Sequence, residues 1–70
     1  MIEFKITKDM ITLTQFLKAN DYINSGGEAK YFLQEYVVFV NDIETKERGK
    51  KLYANDVIDI GNNRYILKYD

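Results

Sequence analysis

Hydrophobic and polar residues alternate at the start of the chain. Ile2, Phe4 and Ile6 fall on one side of an extended segment and Glu3, Lys5 and Thr7 on the other, which predicts a half-buried strand over residues 2–7. The period then changes. Leu13, Phe16 and Leu17 stand at i, i+3 and i+4, the spacing of a helical stripe facing inward. Thr12 precedes that stripe as a cap, and Gln15 three residues on completes a capping-box pattern. Asn20-Asp21 ends the helix, and Tyr22 and Ile23 are expected to tuck back against the core. A second helix opens with Ser25 as its cap and Glu28 as the reciprocal partner. Ala29, Phe32 and Leu33 repeat the stripe, while Lys30, Tyr31 and Gln34 point elsewhere. Gly26-Gly27 falls in the first turn of this helix, where a glycine costs up to about 1 kcal/mol relative to alanine. Two together point to a bend, or to bare backbone that something must approach closely.

Beyond the second helix the pattern is that of short strands. Val37-Val38-Phe39-Val40 reads as a strand by length and β-branching, Asn41-Asp42 as a turn, and Ile43 to Thr45 as a short returning strand. Residues 46–51 read as a loop. Leu52-Tyr53 leads to another turn at Asn55-Asp56. Val57 to Ile60 is a strand, Gly61-Asn62-Asn63 a tight connection, and Arg64 to Tyr69 the last strand, with Tyr65, Leu67 and Tyr69 on one face. The order is β, α, α, then three or four short β elements. It predicts an α+β domain in which two short helices pack on one face of a small mixed or antiparallel sheet.

Composition narrows the class. Seventy residues without proline, low-complexity tract or internal repeat make one domain, residues 1–70. A chain of this size hides roughly 60% of its unfolded surface, so its core is thin. At 46% hydrophobic residues it is too apolar for disorder. Cysteine and histidine are both absent. That removes disulfides, thiolate and imidazole metal sites, a Cys nucleophile and any His base. Asp56 and Asp59, the paired carboxylates beside a turn, make a poor metal or acid–base site. No cofactor and no metal are expected. No apolar run is long enough to span a membrane, and the first residues lack the regions of a signal peptide, so a cytoplasmic protein is expected.

The net charge is only −1, but its distribution is uneven. Lys46, Arg48, Lys50 and Lys51 stand against Glu47 alone within six residues, a local net of +3 that leaves −4 for the rest of the chain. One short segment is basic on an acidic body.

Several of these residues, taken together, resemble a known family. Leu13, Phe16 and Leu17, then Ser25, then Ala29 with Phe32-Leu33, then Val38-Phe39-Val40-Asn41 and finally Asn55-Asp56-Val57-Ile58 are similar to the RNA-binding domain of ribosomal small-subunit protein four. The likeness covers residues 12–60, with the strand at residues 2–7 as an addition. Ser25-Gly26-Gly27-Glu28-Ala29-Lys30 together with Arg48-Gly49-Lys50-Lys51-Leu52 resembles the small stand-alone YaaA-like branch. Gly26, Tyr36 and Asp42 stand where the wider family usually has Arg, Gly and Gly. The resemblance implies an α+β fold, no catalysis, and binding of structured RNA: ribosomal RNA, a ribosome-assembly intermediate or transfer RNA. It also implies that the start of the second helix and the basic loop lie along one edge.

The residues can support that chemistry. The first amides of a helix lack intrahelical partners and carry the positive end of its dipole, and glycine leaves them bare to a phosphate. The RNA-contact set read this way is Ser25, Gly26, Gly27 and Lys30 at the helix start, Lys18 from the neighbouring helix, and Lys46, Arg48, Lys50 and Lys51 in the loop. Such a surface reads phosphate spacing and shape rather than base identity. The plainer reading is a capped helix, a glycine bend and solvated lysines. A second functional reading is a protein-interaction module whose basic loop meets an acidic partner. An enzyme fits poorly, because a chain this short leaves little room for a pocket of about 300 Å³ and no small-molecule substrate is expected.

Overall fold

The N-terminal alternation does form a strand, β1 (Ile2–Ile6), with Ile6 buried and Ile2 at the solvent-exposed end. A computed structural model describes residues 1–70. After β1 come β2 (Met10–Thr12), α1 (Leu13–Ala19), a 3₁₀ turn (Gly26–Glu28) and α2 (Ala29–Glu35). The remainder is β3 (Val38–Val40), β4 (Ile43–Thr45), β5 (Lys51–Tyr53), β6 (Val57–Ile60) and β7 (Asn63–Tyr69). The α+β reading holds. Five strands form a mixed sheet in the order β1-β7-β6-β3-β4, in which only β1 and β7 run parallel.

Two features lay outside the sequence reading. Met10–Thr12 is a strand, and it pairs antiparallel with Lys51–Tyr53 to make a separate two-stranded ribbon. Each is three residues long, too short to show a period, and the partners lie some forty positions apart. The ribbon matters because Lys51 is thereby the first residue of a strand and not the end of a loop.

The two helical stripes meet the sheet as their spacing requires. Leu13, Phe16 and Leu17 of α1 and Ala29 and Leu33 of α2 are buried against Val38, Val40, Ile58, Ile60, Tyr65 and Leu67 of the sheet. Leu52 closes the core from the ribbon, and Ile23 tucks back from the connection between the helices. Phe16 packs edge-on against both Phe4 and Tyr65, with ring centroids 5.1 Å apart in each case. Tyr65 and Tyr22 share a hydrogen bond of 2.6 Å between their hydroxyls, and Asn63 Nδ2 donates to Tyr22 Oη at 3.1 Å. Burial first, and the Tyr22 bond second, push the Tyr65 phenol from 10.0 up to about 12.

The turn residues are tied together by side chains. Asn41 and Asp42 both adopt positive φ, 51° and 68°, as a two-residue connection between β3 and β4 requires. Asn41 Oδ1 accepts the Val57 N–H at 2.9 Å, and Asn41 Nδ2 donates to Asp56 Oδ1 at 3.0 Å. Asp56 Oδ2 in turn accepts the Tyr53 N–H at 2.8 Å. This clasp explains why asparagine follows β3 and aspartate precedes β6: the pair knits the β3–β4 turn to the β5–β6 turn. Asp59 is occupied as well, by Arg64 at 3.4 Å.

Candidate nucleic-acid interface

The basic segment is an ordered turn. The Glu47 N–H donates to Thr45 Oγ1 at 3.1 Å, and the Lys50 N–H closes the turn onto the Glu47 carbonyl at 3.1 Å. Two of its other carbonyls, those of Arg48 and Lys50, bond to α1. The Leu13 N–H donates to the Lys50 carbonyl at 2.8 Å, while the Thr14 N–H and hydroxyl both donate to the Arg48 carbonyl, at 3.0 and 2.8 Å.

These bonds complete the accounts of the α1 N-terminus. The Thr12 N–H is taken by Gln15 Oε1 at 2.8 Å, and the Gln15 N–H by Thr12 Oγ1 at 3.2 Å, so the expected capping box forms. With Leu13 and Thr14 spent on the turn, the amides that open this helix all have acceptors. The start of α1 is therefore closed to an anion. What it does instead is fix the turn by its backbone, leaving the side chains of Arg48, Lys50 and Lys51 with no carboxylate within ion-pair distance.

The second helix starts differently from the expected box. Gly26–Glu28 forms a 3₁₀ turn, and α2 proper begins at Ala29. Ser25 is extended and makes no side-chain cap; its hydroxyl donates to the Glu28 carboxylate at 3.3 Å. The reason is the tighter ring of a 3₁₀ turn. The Glu28 N–H, which a capping serine would have taken, already donates to the Ser25 carbonyl at 3.1 Å. The amides of Gly26 and Gly27 precede that bond.

Neither glycine is demanded by the chain itself. Neither has a positive φ. A Cβ at Gly26 would meet Thr14 Cγ2 at 3.8 Å and one at Gly27 would meet only Ser25 Oγ at 4.0 Å, both ordinary contacts. Gly49, in the basic turn, has nothing within 4 Å and an ordinary φ. Three glycines on this side of the molecule thus leave backbone bare without an internal cause.

Thr14 brings the pieces together, and sequence reading did not single it out. Its methyl faces Gly26, and its amide and hydroxyl hold Arg48. The glycine turn and the basic turn are therefore neighbours across one side chain. Lys18 stands four residues beyond Thr14, on the same face of α1 one turn along. Lys30 lies in the first turn of α2. Both are exposed and without an acidic partner. Lys46 is used otherwise: its Nζ donates to the Leu33 carbonyl at 3.1 Å near the end of α2 and lies 3.7 Å from Glu44. Beside the turn, a hollow of about 490 Å³ between β4 and β5 is rimmed by Lys50 and Lys51 together with Glu44, Glu47 and Asp56. Thr14 could have been noticed as a β-branched polar residue placed beside a helix cap, but nothing local to it points to residue 48.

A family model described as the S4 domain matches residues 4–68. The chain belongs to the S4 domain family. This S4 domain is also similar to the "Probable ribosome maturation protein RlbA" of Bacillus subtilis (strain 168), with 56% identity over 55 residues that span 79% of this chain and 78% of that protein. No solved structure matches it. The match from residue 4 to residue 68 takes in most of β1 and β7, so it reaches beyond residues 12–60. Two positions where the wider family usually has glycine fare differently in this S4 domain. Asp42 takes up the left-handed backbone at φ 68°, whereas Tyr36 is extended at φ −119° and needs no glycine.

Proposed function

We propose that this S4 domain binds folded RNA without catalysis, seating backbone phosphates where the Gly26-Gly27 turn and the basic turn meet across Thr14. The observation that carries the reading is that junction: the Gly26-Gly27 turn and the Arg48 carbonyl meet at Thr14, and Arg48, Lys50, Lys51, Lys18 and Lys30 have no acidic partner. A phosphate run is the partner that uses both halves, taking hydrogen bonds from amides and charge from lysines. Ser25 borders the seat. Lys46 contributes charge from the flank, since it is partly engaged with α2. The likeness to a protein named for ribosome maturation supports ribosomal RNA or an assembly intermediate as the partner, and with it a cytoplasmic setting. With about four to six cationic contacts, retention falls steeply with added salt.

The test is retention on ribosomal RNA at two salt concentrations. Reversing Lys50 and Lys51 together to Glu abolishes retention, while the circular dichroism melt stays nearly unmoved. Gly27→Asp lowers RNA affinity more than stability, because a carboxylate at the turn repels phosphate. Retention that survives the double reversal removes the basic turn from the mechanism; unchanged affinity in Gly27→Asp removes the glycine turn.

A further inference from the structure

At another place on the molecule lies a groove of about 930 Å³. It runs between the connection of α1 to α2, the end of α2 and the turn joining β6 to β7. Its apolar wall is aromatic. Tyr22, Phe32 and Tyr36 form a chain of rings with centroids 5.6 and 4.8 Å apart, and Phe39 of β3 also lines the groove. Much of this wall is open to solvent: Tyr36 is 56% exposed, Val37 49% and Phe39 39%. Its charged groups are the carboxylates of Asp21 and Asp59, and no lysine or arginine lines it.

The charge is not balanced nearby. Arg64, the cation paired with Asp59 at 3.4 Å, is shared with Asp42 at 3.7 Å. Asp21 has neither a salt bridge nor a side-chain hydrogen bond, and its positive φ of 63° holds it on the rim where α1 ends. With Asp59 sharing its guanidinium with Asp42 and Asp21 unpaired, the lining of the groove is net negative. A phosphate entering here would meet carboxylates and no free cation. A flat cation with an apolar stem meets the opposite conditions, with ring faces to stack on and a free carboxylate to pair with.

We propose that this groove receives an arginine-bearing segment of a protein partner, its guanidinium lying on Tyr36 or Phe39 and paired with Asp21. The site is independent of the RNA seat, so the molecule has one face for a polyanion and one for a cationic chain. Charge complementarity sets the choice of occupant, and the asparagines Asn62 and Asn63 offer amides to an extended peptide backbone.

The experiment titrates the ¹⁵N-labelled protein with an eight-residue peptide of alternating arginine and glycine, and with the same peptide carrying neutral citrulline for arginine. Amide shifts concentrate at Asp21, Tyr36, Val37, Gly61 and Asn62, and the citrulline peptide binds roughly tenfold or more weakly. Asp21→Asn, which keeps the left-handed backbone acceptable, and Tyr36→Ala each weaken arginine-peptide binding by about threefold or more. Both variants keep their retention on ribosomal RNA. Shifts spread evenly over all acidic surfaces overturn the proposal. So does an uridylate octamer that perturbs the groove when the peptide does not, which assigns the groove to nucleic acid. Self-association lost in the same two variants also overturns it, by assigning the groove to a second copy of the chain.

Discussion

The two ends of this molecule are held by different parts of the chain. Around Thr14, backbone does the holding: carbonyls of residues 48 and 50 take amides of α1, and β2 pairs with β5 through main-chain bonds. The side chains of Arg48, Lys50 and Lys51 are left over. Around Tyr65, side chains add to the main-chain bonds of the sheet: Phe16 meets Phe4 and Tyr65 edge-on, Tyr22 packs against Tyr65 and Phe32, and hydroxyls close the network. A surface that must change with its ligand is cheaper to alter at the first end, because its side chains carry little of the fold. The second end resists substitution, since its rings serve the core and the groove together.

The largest expected break of that contrast is Phe16→Ala. Phe16 is fully buried and touches rings on both sides. Its loss costs about 3–5 kcal/mol, comparable to the whole stability of a domain this size, so a urea melt shows a chain largely unfolded in water. A cooperative melt near that of the parent protein contradicts the packing described above.

Tyr22→Phe is expected next, at about 1–2 kcal/mol, because it removes the hydroxyl partner of the buried Tyr65. It also has a pH signature. The Tyr65 phenol sits above its ordinary 10.0, at about 12, so the folded state holds that proton more tightly than the unfolded state does. The resulting stability is fully present below pH 10 and is lost as pH rises toward 12. Tyr22→Phe narrows that alkaline loss, since burial alone remains to raise Tyr65. Urea melts at pH 8, 10 and 11 read both effects, and an unchanged pH dependence removes the hydroxyl pair from the account.

Thr14→Val is the smallest effect on stability and sharpens the other side of the comparison. It removes one hydroxyl donor to the Arg48 carbonyl while the Thr14 N–H remains, for about 0.5–1.5 kcal/mol. Arg48→Ala in the same background changes stability by no more than about 0.5 kcal/mol, because the folded chain uses its carbonyl and not its guanidinium. Thermal melts of the single and double variants check this. A large cost for Arg48→Ala would mean that the side chain is structural.

The parts legible before the structure were those with a local cause. The stripes Leu13, Phe16, Leu17 and Ala29, Leu33 bury as their spacing requires, with Phe32 half-buried at the edge of the core, and Thr12 with Gln15 forms its box. The motif residues from Leu13 to Ile58 led to the right family. Ser25 with Glu28 was misread as a capping box because residue identity does not distinguish a 3₁₀ start from an α start. The β2–β5 ribbon was missed because three residues carry no period.

By itself the order of residues determined two helices, most of the strands, the turns at Asn41-Asp42 and Gly61-Asn62, and the excess of cations between residues 46 and 51. These follow from propensities and spacings that act within a few positions. Only the tertiary structure decided that Arg48 hangs from Thr14, that Lys46 braces α2, that β1 runs beside β7, and that two aspartates and four rings line a single groove. Each of those joins positions separated by a dozen residues or more. Such meetings are set by how the whole core closes, and no local pattern records them.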